Sequence, residues 1–191
     1  PYGYYEYLPG NYSDSGAKKF PIVLFLHGRG ERGNGESDLG KVVRHGPPKR
    51  IAAGHDFDGI IVSPQSASWW NVESINAFVD YLFKTYPGAD PSRLYVTGLS
   101  MGGKGTWEYI TAYPGRVAAA VPVCGAASGN PARAKLDRMP LWIFHAFNDK
   151  VVRVGSSYSN INSITPTSTS VMSGYPNEAS DALRPASTDM I

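Results

Sequence analysis

Leu94-Tyr95-Val96-Thr97-Gly98-Leu99-Ser100-Met101-Gly102-Gly103 is a short apolar run that breaks into a serine with a glycine two residues away on either side. A G-x-S-x-G stretch of this kind turns a strand into a helix within about one residue, which strains the serine backbone and leaves room only for hydrogen at the flanking Cα positions. Ser100 then stands exposed above a strand end. A glycine-rich turn can also be purely structural, so the neighbouring sequence decides. A β-type run precedes Ser100 and a helix-compatible run over residues 104–113 follows it, which is the context a nucleophile elbow requires.

Outward from the elbow, strand-like and helix-like segments alternate, the pattern of a mainly parallel sheet covered on both faces. Residues 2–8 are aromatic and partly alternating, as in an edge strand. Pro21-Ile22-Val23-Leu24-Phe25-Leu26 is a continuous apolar run, expected of a strand buried on both sides. It runs into His27-Gly28-Arg29-Gly30-Glu31-Arg32-Gly33, a glycine-rich loop at the carboxyl end of that strand. Gly59-Ile60-Ile61-Val62-Ser63 reads as a third strand, and Ile75, Phe78, Val79, Leu82, Phe83 and Tyr86 mark one face of an amphipathic helix closed by Pro87-Gly88. Residues 118–124 and 141–144 are two further strands. Beyond Val152 the composition turns to Ser, Thr and Asn, and only Val171-Met172 suggests another strand. There is no internal repeat and no linker, so residues 1–191 read as one domain whose closing segment, 153–191, is atypical and expected to be poorly ordered.

With 42% hydrophobic and 18% charged residues the 191-residue chain is globular in composition and long enough to bury a substantial core. No run is long enough to span a bilayer. The net charge of +2 is spread along the chain, which argues against nucleic acid or an anionic membrane as partner and leaves small neutral molecules. Cys124 is the only cysteine, which excludes an internal disulfide and a cysteine-based metal site; its apolar neighbours place it in the core. Pro1 is not an initiator residue and implies a processed or trimmed start.

Five segments carry a resemblance: Leu24-Phe25-Leu26-His27-Gly28-Arg29-Gly30-Glu31-Arg32-Gly33, His45-Gly46-Pro47-Pro48, Ser63-Pro64-Gln65, Gly98-Leu99-Ser100-Met101-Gly102-Gly103 and His145-Ala146-Phe147-Asn148-Asp149-Lys150-Val151-Val152. Taken in this order over roughly the first 155 residues, the chain resembles the α/β-hydrolase superfamily. It is most similar to the small carboxylesterase branch of feruloyl and acetylxylan esterases, polyhydroxyalkanoate depolymerases and predicted-peptidase-like esterases. The resemblance implies an α/β-hydrolase fold with a mainly parallel sheet, helices on both faces and a shortened C-terminal part. It also implies a carboxylic ester as substrate, no cofactor, no metal, and a secreted or periplasmic setting.

Ester hydrolysis by this route needs a nucleophile, an oxyanion hole, an acid and a base. Ser100 is the nucleophile, unreactive near neutral pH unless a base takes its proton during attack. The hole needs two backbone N–H groups, one from the residue after the nucleophile and one from the loop after the early buried strand. Met101 and Arg29 occupy those places. Asp149 follows a strand beyond the nucleophile, where the hydrolase chain order of Ser, acid, His expects the acid, although an Asp in a loop also serves turns.

The base is where the chain departs from the pattern. Its four histidines are His27, His45, His55 and His145, and none follows Asp149. In the family a histidine follows a Tyr-Pro-x-x-Gly-His type of stretch. Its best counterpart here is Tyr175-Pro176-Asn177-Glu178-Ala179-Ser180-Asp181, which puts Ser180 at the vacated position. The resemblance assigns His27 and His145 to supporting loops at strand ends. Trp69 and Trp70 either line an aromatic or sugar-bearing substrate's pocket or staple the following helix. Trp107 belongs to the core. Two classes of function follow: a serine carboxylesterase for short-chain or aryl- or sugar-linked esters, impaired at its base, or a non-catalytic homologue that keeps the pocket for binding. A peptidase is weaker, because nothing in the chain suggests a domain that selects peptides.

Overall fold

The computed structural model describes residues 2–127, 136, 138–164 and, for their backbone course, 169–174. Among the described residues seven strands form one sheet: β1 (Gly3–Tyr7), β2 (Phe20–Leu26), β3 (Ile60–Gln65), β4 (Ala89–Leu99), β5 (Ala119–Val123), β6 (Leu141–Ala146) and β7 (Thr169–Gly174). Their order is β1-β3-β2-β4-β5-β6-β7. Of these strands β1 and β3 pair antiparallel, with Gly3 opposite Gln65, and the other described pairs are parallel. The α/β reading is therefore met, and residues 2–8 do lie at an edge. Val171 and Met172 fall in β7.

Consecutive side chains of a strand point to opposite faces, and β1 shows what covers each. Tyr4 packs edge-on against Phe78 of helix α2 (Val72–Thr85). Tyr5 lines a groove with Pro48 and Ile51 of helix α1 (Gly46–Ala52) on the other side. The core lies between sheet and helices: Ile22, Leu24 and Leu26 of β2, Ile60 and Val62 of β3, Leu94 and Val96 of β4, and Ile75, Phe78, Val79 and Leu82 of α2 are all buried. The α2 positions are those of the expected apolar stripe. Asn71 starts that helix by accepting the Ser74 N–H at 2.8 Å, a side-chain cap that satisfies one of the free donors of the first turn. Trp107, in helix α3 (Met101–Ala112), is fully buried.

Three features depart from the sequence reading. β4 starts at Ala89, ahead of its apolar run, because the polar residues there satisfy one another: Ser92 Oγ and Arg93 Nε both donate to Asp90, at 2.6 and 2.7 Å. Helix α4 (Gly155–Asn162) lies in the stretch read as poorly ordered. It buries Ser157 and Asn160 rather than an apolar stripe, so hydrophobic periodicity does not announce it. Cys124, expected in the core, is only half-buried, at the end of β5 with a left-handed φ of 41°.

Candidate active site

At the junction of β4 and α3, Ser100 has φ 56° and ψ −109°, a conformation that costs a non-glycine residue of order 1–3 kcal/mol. The surroundings hold it there. Its N–H donates to Val123 O at 2.9 Å, and its carbonyl accepts the Lys104 N–H at 2.9 Å. The flanking glycines are demanded by backbone crossing at contact distance. A β-carbon on Gly98 would lie 2.3 Å from Gly102 O, one on Gly102 only 1.8 Å from Leu26 O, and one on Gly103 2.3 Å from Val123 O. The turn is wedged between the ends of β2 and β5.

The loop after β2 is built around a buried imidazole. His27 Nε2 accepts the Ser66 N–H at 2.9 Å, so the ring proton is on Nδ1, which donates to Gly28 O at 2.7 Å. Burial lowers its pKa below the usual histidine value, the Gly28 carbonyl pulling the other way, and the ring is neutral. Trp70 supports it from beneath, donating its indole N–H to His27 O at 3.0 Å with ring centroids 4.8 Å apart. Trp70 is thus a buried prop of the loop, whereas Trp69 is 56% exposed.

Gln65 closes the same loop. Its amide donates to Glu31 O and Asp38 O, both at 2.8 Å, and accepts the Gly35 N–H at 2.9 Å. Together these bonds bring Gly28 beside the elbow: its missing β-carbon would sit 3.8 Å from Ser100 Cβ. Arg29 and Met101 are each the first residue of a helix, Arg29–Glu31 and α3 respectively. Their N–H groups therefore have no partner one turn back.

Asp149 lies on the loop after β6. Its Oδ1 accepts the N–H groups of Val151 and Val152 at 2.8 and 2.9 Å. Burial works to raise its pKa, but those two donors and nearby His145 outweigh it and hold the carboxyl below the usual range. His145 is fully engaged: Nε2 donates to Val152 O and Nδ1 accepts from Ser157 Oγ, each at 2.7 Å, with Asp149 Oδ2 3.6 Å from Nε2. Since β4, β5 and β6 are adjacent and parallel, Ser100 and Asp149 follow carboxyl ends on one edge of the sheet.

Cys124 stands between them. Burial pushes its thiol pKa up, the Ser100 N–H opposes that, and the Asp149 charge adds to it. Sequence reasoning missed this placement. The signal is the register: Leu99 pairs with Val123, so the residue after β5 faces the residue after β4. Ser180 lies outside the described residues.

Solved structures with the same architecture include a thermostable esterase, with a TM-score of 0.68 and 26% identity over 91% of this chain and 51% of that one. Esterase PE8 matches with a TM-score of 0.64 and 19% identity over 92% and 90%. An acetyl xylan esterase from Aspergillus awamori matches with a TM-score of 0.60 and 20% identity over 83% and 72%. The fold is that of the α/β-hydrolase esterases. No family model matches the chain. An uncharacterized secreted protein of Arthroderma benhamiae is 30% identical over 120 residues, 58% of this chain and 12% of that protein. The chain therefore spans about half of the thermostable esterase and a small part of the curated relative.

Within this esterase-like fold, Gln65 is the residue whose loss should most loosen the loop beside Ser100. Gln65→Leu would leave two carbonyls and one N–H without their partner, and should cost about 2–4 kcal/mol in urea denaturation. A loss under about 1 kcal/mol would show that water takes over the amide's bonds.

Proposed function

We propose that the chain is a serine hydrolase of carboxylic esters. Ser100 Oγ attacks the ester carbonyl carbon, and the backbone N–H groups of Arg29 and Met101 receive the oxyanion that develops. Asp149 supplies fixed negative charge on the same sheet edge. The observation that carries the reading is the strained Ser100 backbone, φ 56°, at a strand-to-helix turn beside the Gly28 loop. Strain of this size persists only where surrounding structure enforces it, and here three glycines and two hydrogen bonds do so. Short-chain, aryl-linked or sugar-linked esters are the proposed substrates, small neutral molecules as the charge balance suggests.

A binding-only reading has one observation in its favour. Two of the four imidazoles, those of His27 and His145, have both nitrogens committed to other partners, and neither is free to serve Ser100. A fluorophosphonate probe with mass-spectrometric mapping separates the two readings, because Ser100 Oγ would displace fluoride from phosphorus while the hole stabilises the negative charge that builds on the phosphoryl oxygen. The expected result is one adduct, on Ser100. A folded chain that takes up no probe would support the binding-only homologue.

A further inference from the structure

A nucleophilic Ser100 needs a proton acceptor, and two imidazoles within residues 1–191, those of His45 and His55, have not yet been placed. His55 precedes β3, at the amino ends of the parallel strands and on an exposed turn, the edge away from Ser100. His45 links the 3-10 helix Leu39–Arg44 to α1. The next residue, Gly46, has φ 64° and is pressed so closely on Phe25 that a β-carbon there would lie 2.5 Å from the ring. Phe25 pairs with Thr97 near the carboxyl ends of β2 and β4, so His45 comes in at the elbow's edge of the sheet. About half of its side chain is exposed, 52%.

Its ionic partner is Glu31, with Nε2 3.6 Å from Oε1. Glu31 belongs to the loop after β2, beside Gly28. Its side chain is only 7% exposed, and among the described residues its carboxylate accepts no hydrogen bond. The imidazole of His45 is the group within reach of that carboxylate that can share a proton with it. The point where a Gly28 β-carbon would sit is 3.0 Å from Glu31 Oε2 and 3.8 Å from Ser100 Cβ, so carboxylate and serine flank one glycine.

We propose that Glu31 and His45 form an acid–base pair that serves Ser100 from the oxyanion-loop side, with His45 as proton acceptor and Glu31 positioning its ring. The proposal rests on Ser100 being the nucleophile. As Oγ bonds to the carbonyl carbon, its proton passes to His45, directly or through one water. The carbon–oxygen bond to the alcohol then breaks, and the proton goes to the departing alkoxide. Water repeats the exchange on the acyl-serine, giving its proton to His45 and its hydroxyl to the acyl carbon; the carboxylic acid leaves and Ser100 regains a proton.

The test is the second-order rate of fluorophosphonate labelling at Ser100 in the intact chain, measured for wild type, His45→Gln, His45→Gly and Glu31→Gln, with melting curves to establish folding. His45→Gln should slow labelling by about 10²-fold or more, the usual contribution of a positioned base, and Glu31→Gln by about tenfold. Free imidazole should speed labelling of His45→Gly and leave wild type unchanged, a rescue that a purely structural histidine would not give. Folded His45 variants that label at the wild-type rate overturn the pair alone, while a wild-type chain that never labels overturns the Ser100 reading with it. Should both His45 variants fail to fold, the Glu31→Gln rate decides: a tenfold fall supports the pair and an unchanged rate overturns it.

Discussion

Ser100→Ala should lower the hydrolysis of p-nitrophenyl acetate by about 10³-fold or more while leaving the melting temperature within about 2 °C of wild type. The two halves of that expectation come from different atoms. Alanine keeps the β-carbon, so the φ of 56° is no harder to hold than before, and the N–H to Val123 and carbonyl to Lys104 remain. What disappears is Oγ, and with it the covalent route; backbone donors alone still polarise a carbonyl, which sets the floor. Activated esters are the sensitive probe because their leaving group needs little protonation. Wild-type activity in a Ser100→Ala chain, once a contaminating enzyme and surface-lysine chemistry are ruled out, would remove Ser100 from the mechanism.

The second large effect is on folding. Gly102→Ala should cost about 4 kcal/mol or more, enough to leave much of the chain unfolded in dilute buffer. Its β-carbon would sit 1.8 Å from Leu26 O and 2.4 Å from Leu26 C, both main-chain atoms in the middle of the sheet that cannot swing aside. Gly115→Ala is the matched control. Nothing lies within 4 Å of its β-carbon position, and the change should stay within about 0.5 kcal/mol. Urea denaturation of the two variants side by side measures the difference. A Gly102→Ala chain as stable as wild type would mean that the end of β2 is not where the elbow rests.

Why some of this was legible in the sequence and some not comes down to the kind of force each residue answers to. Gly98, Gly102 and Gly103 answer to hard sterics at a crossing of backbones, which no other residue can satisfy, so the elbow is written in plain letters. Ile22, Leu24 and Leu26, like Ile75, Phe78, Val79 and Leu82, answer to burial, which leaves a period. Helix α4 answers instead to a hydroxyl on His145, and a buried serine carries no hydrophobic mark. Gln65 and Cys124 are harder still. One reaches back 34 residues to Glu31, and the other meets Ser100 only through the pairing of β4 with β5. The chemistry expected of Trp70 was likewise undetermined by pattern, because an indole beside a strand end serves a pocket or a loop equally well until its N–H is seen on His27 O.

The position of the elbow between β2 and β5 has a consequence for when the Ser100 turn takes its strained form. The atoms that confine Ser100 belong to Leu26, some seventy residues earlier, and to Val123 and Gly125, some twenty later. The fragment from β4 through α3 contains the whole G-x-S-x-G stretch and yet none of those walls. Newly made or partly folded chain therefore carries Ser100 as an ordinary alcohol, no different from the serines around it. If Ser100 is the nucleophile proposed above, reactivity arrives only when three strands distant in sequence have closed on one another, and the uptake of a covalent probe should count finished molecules.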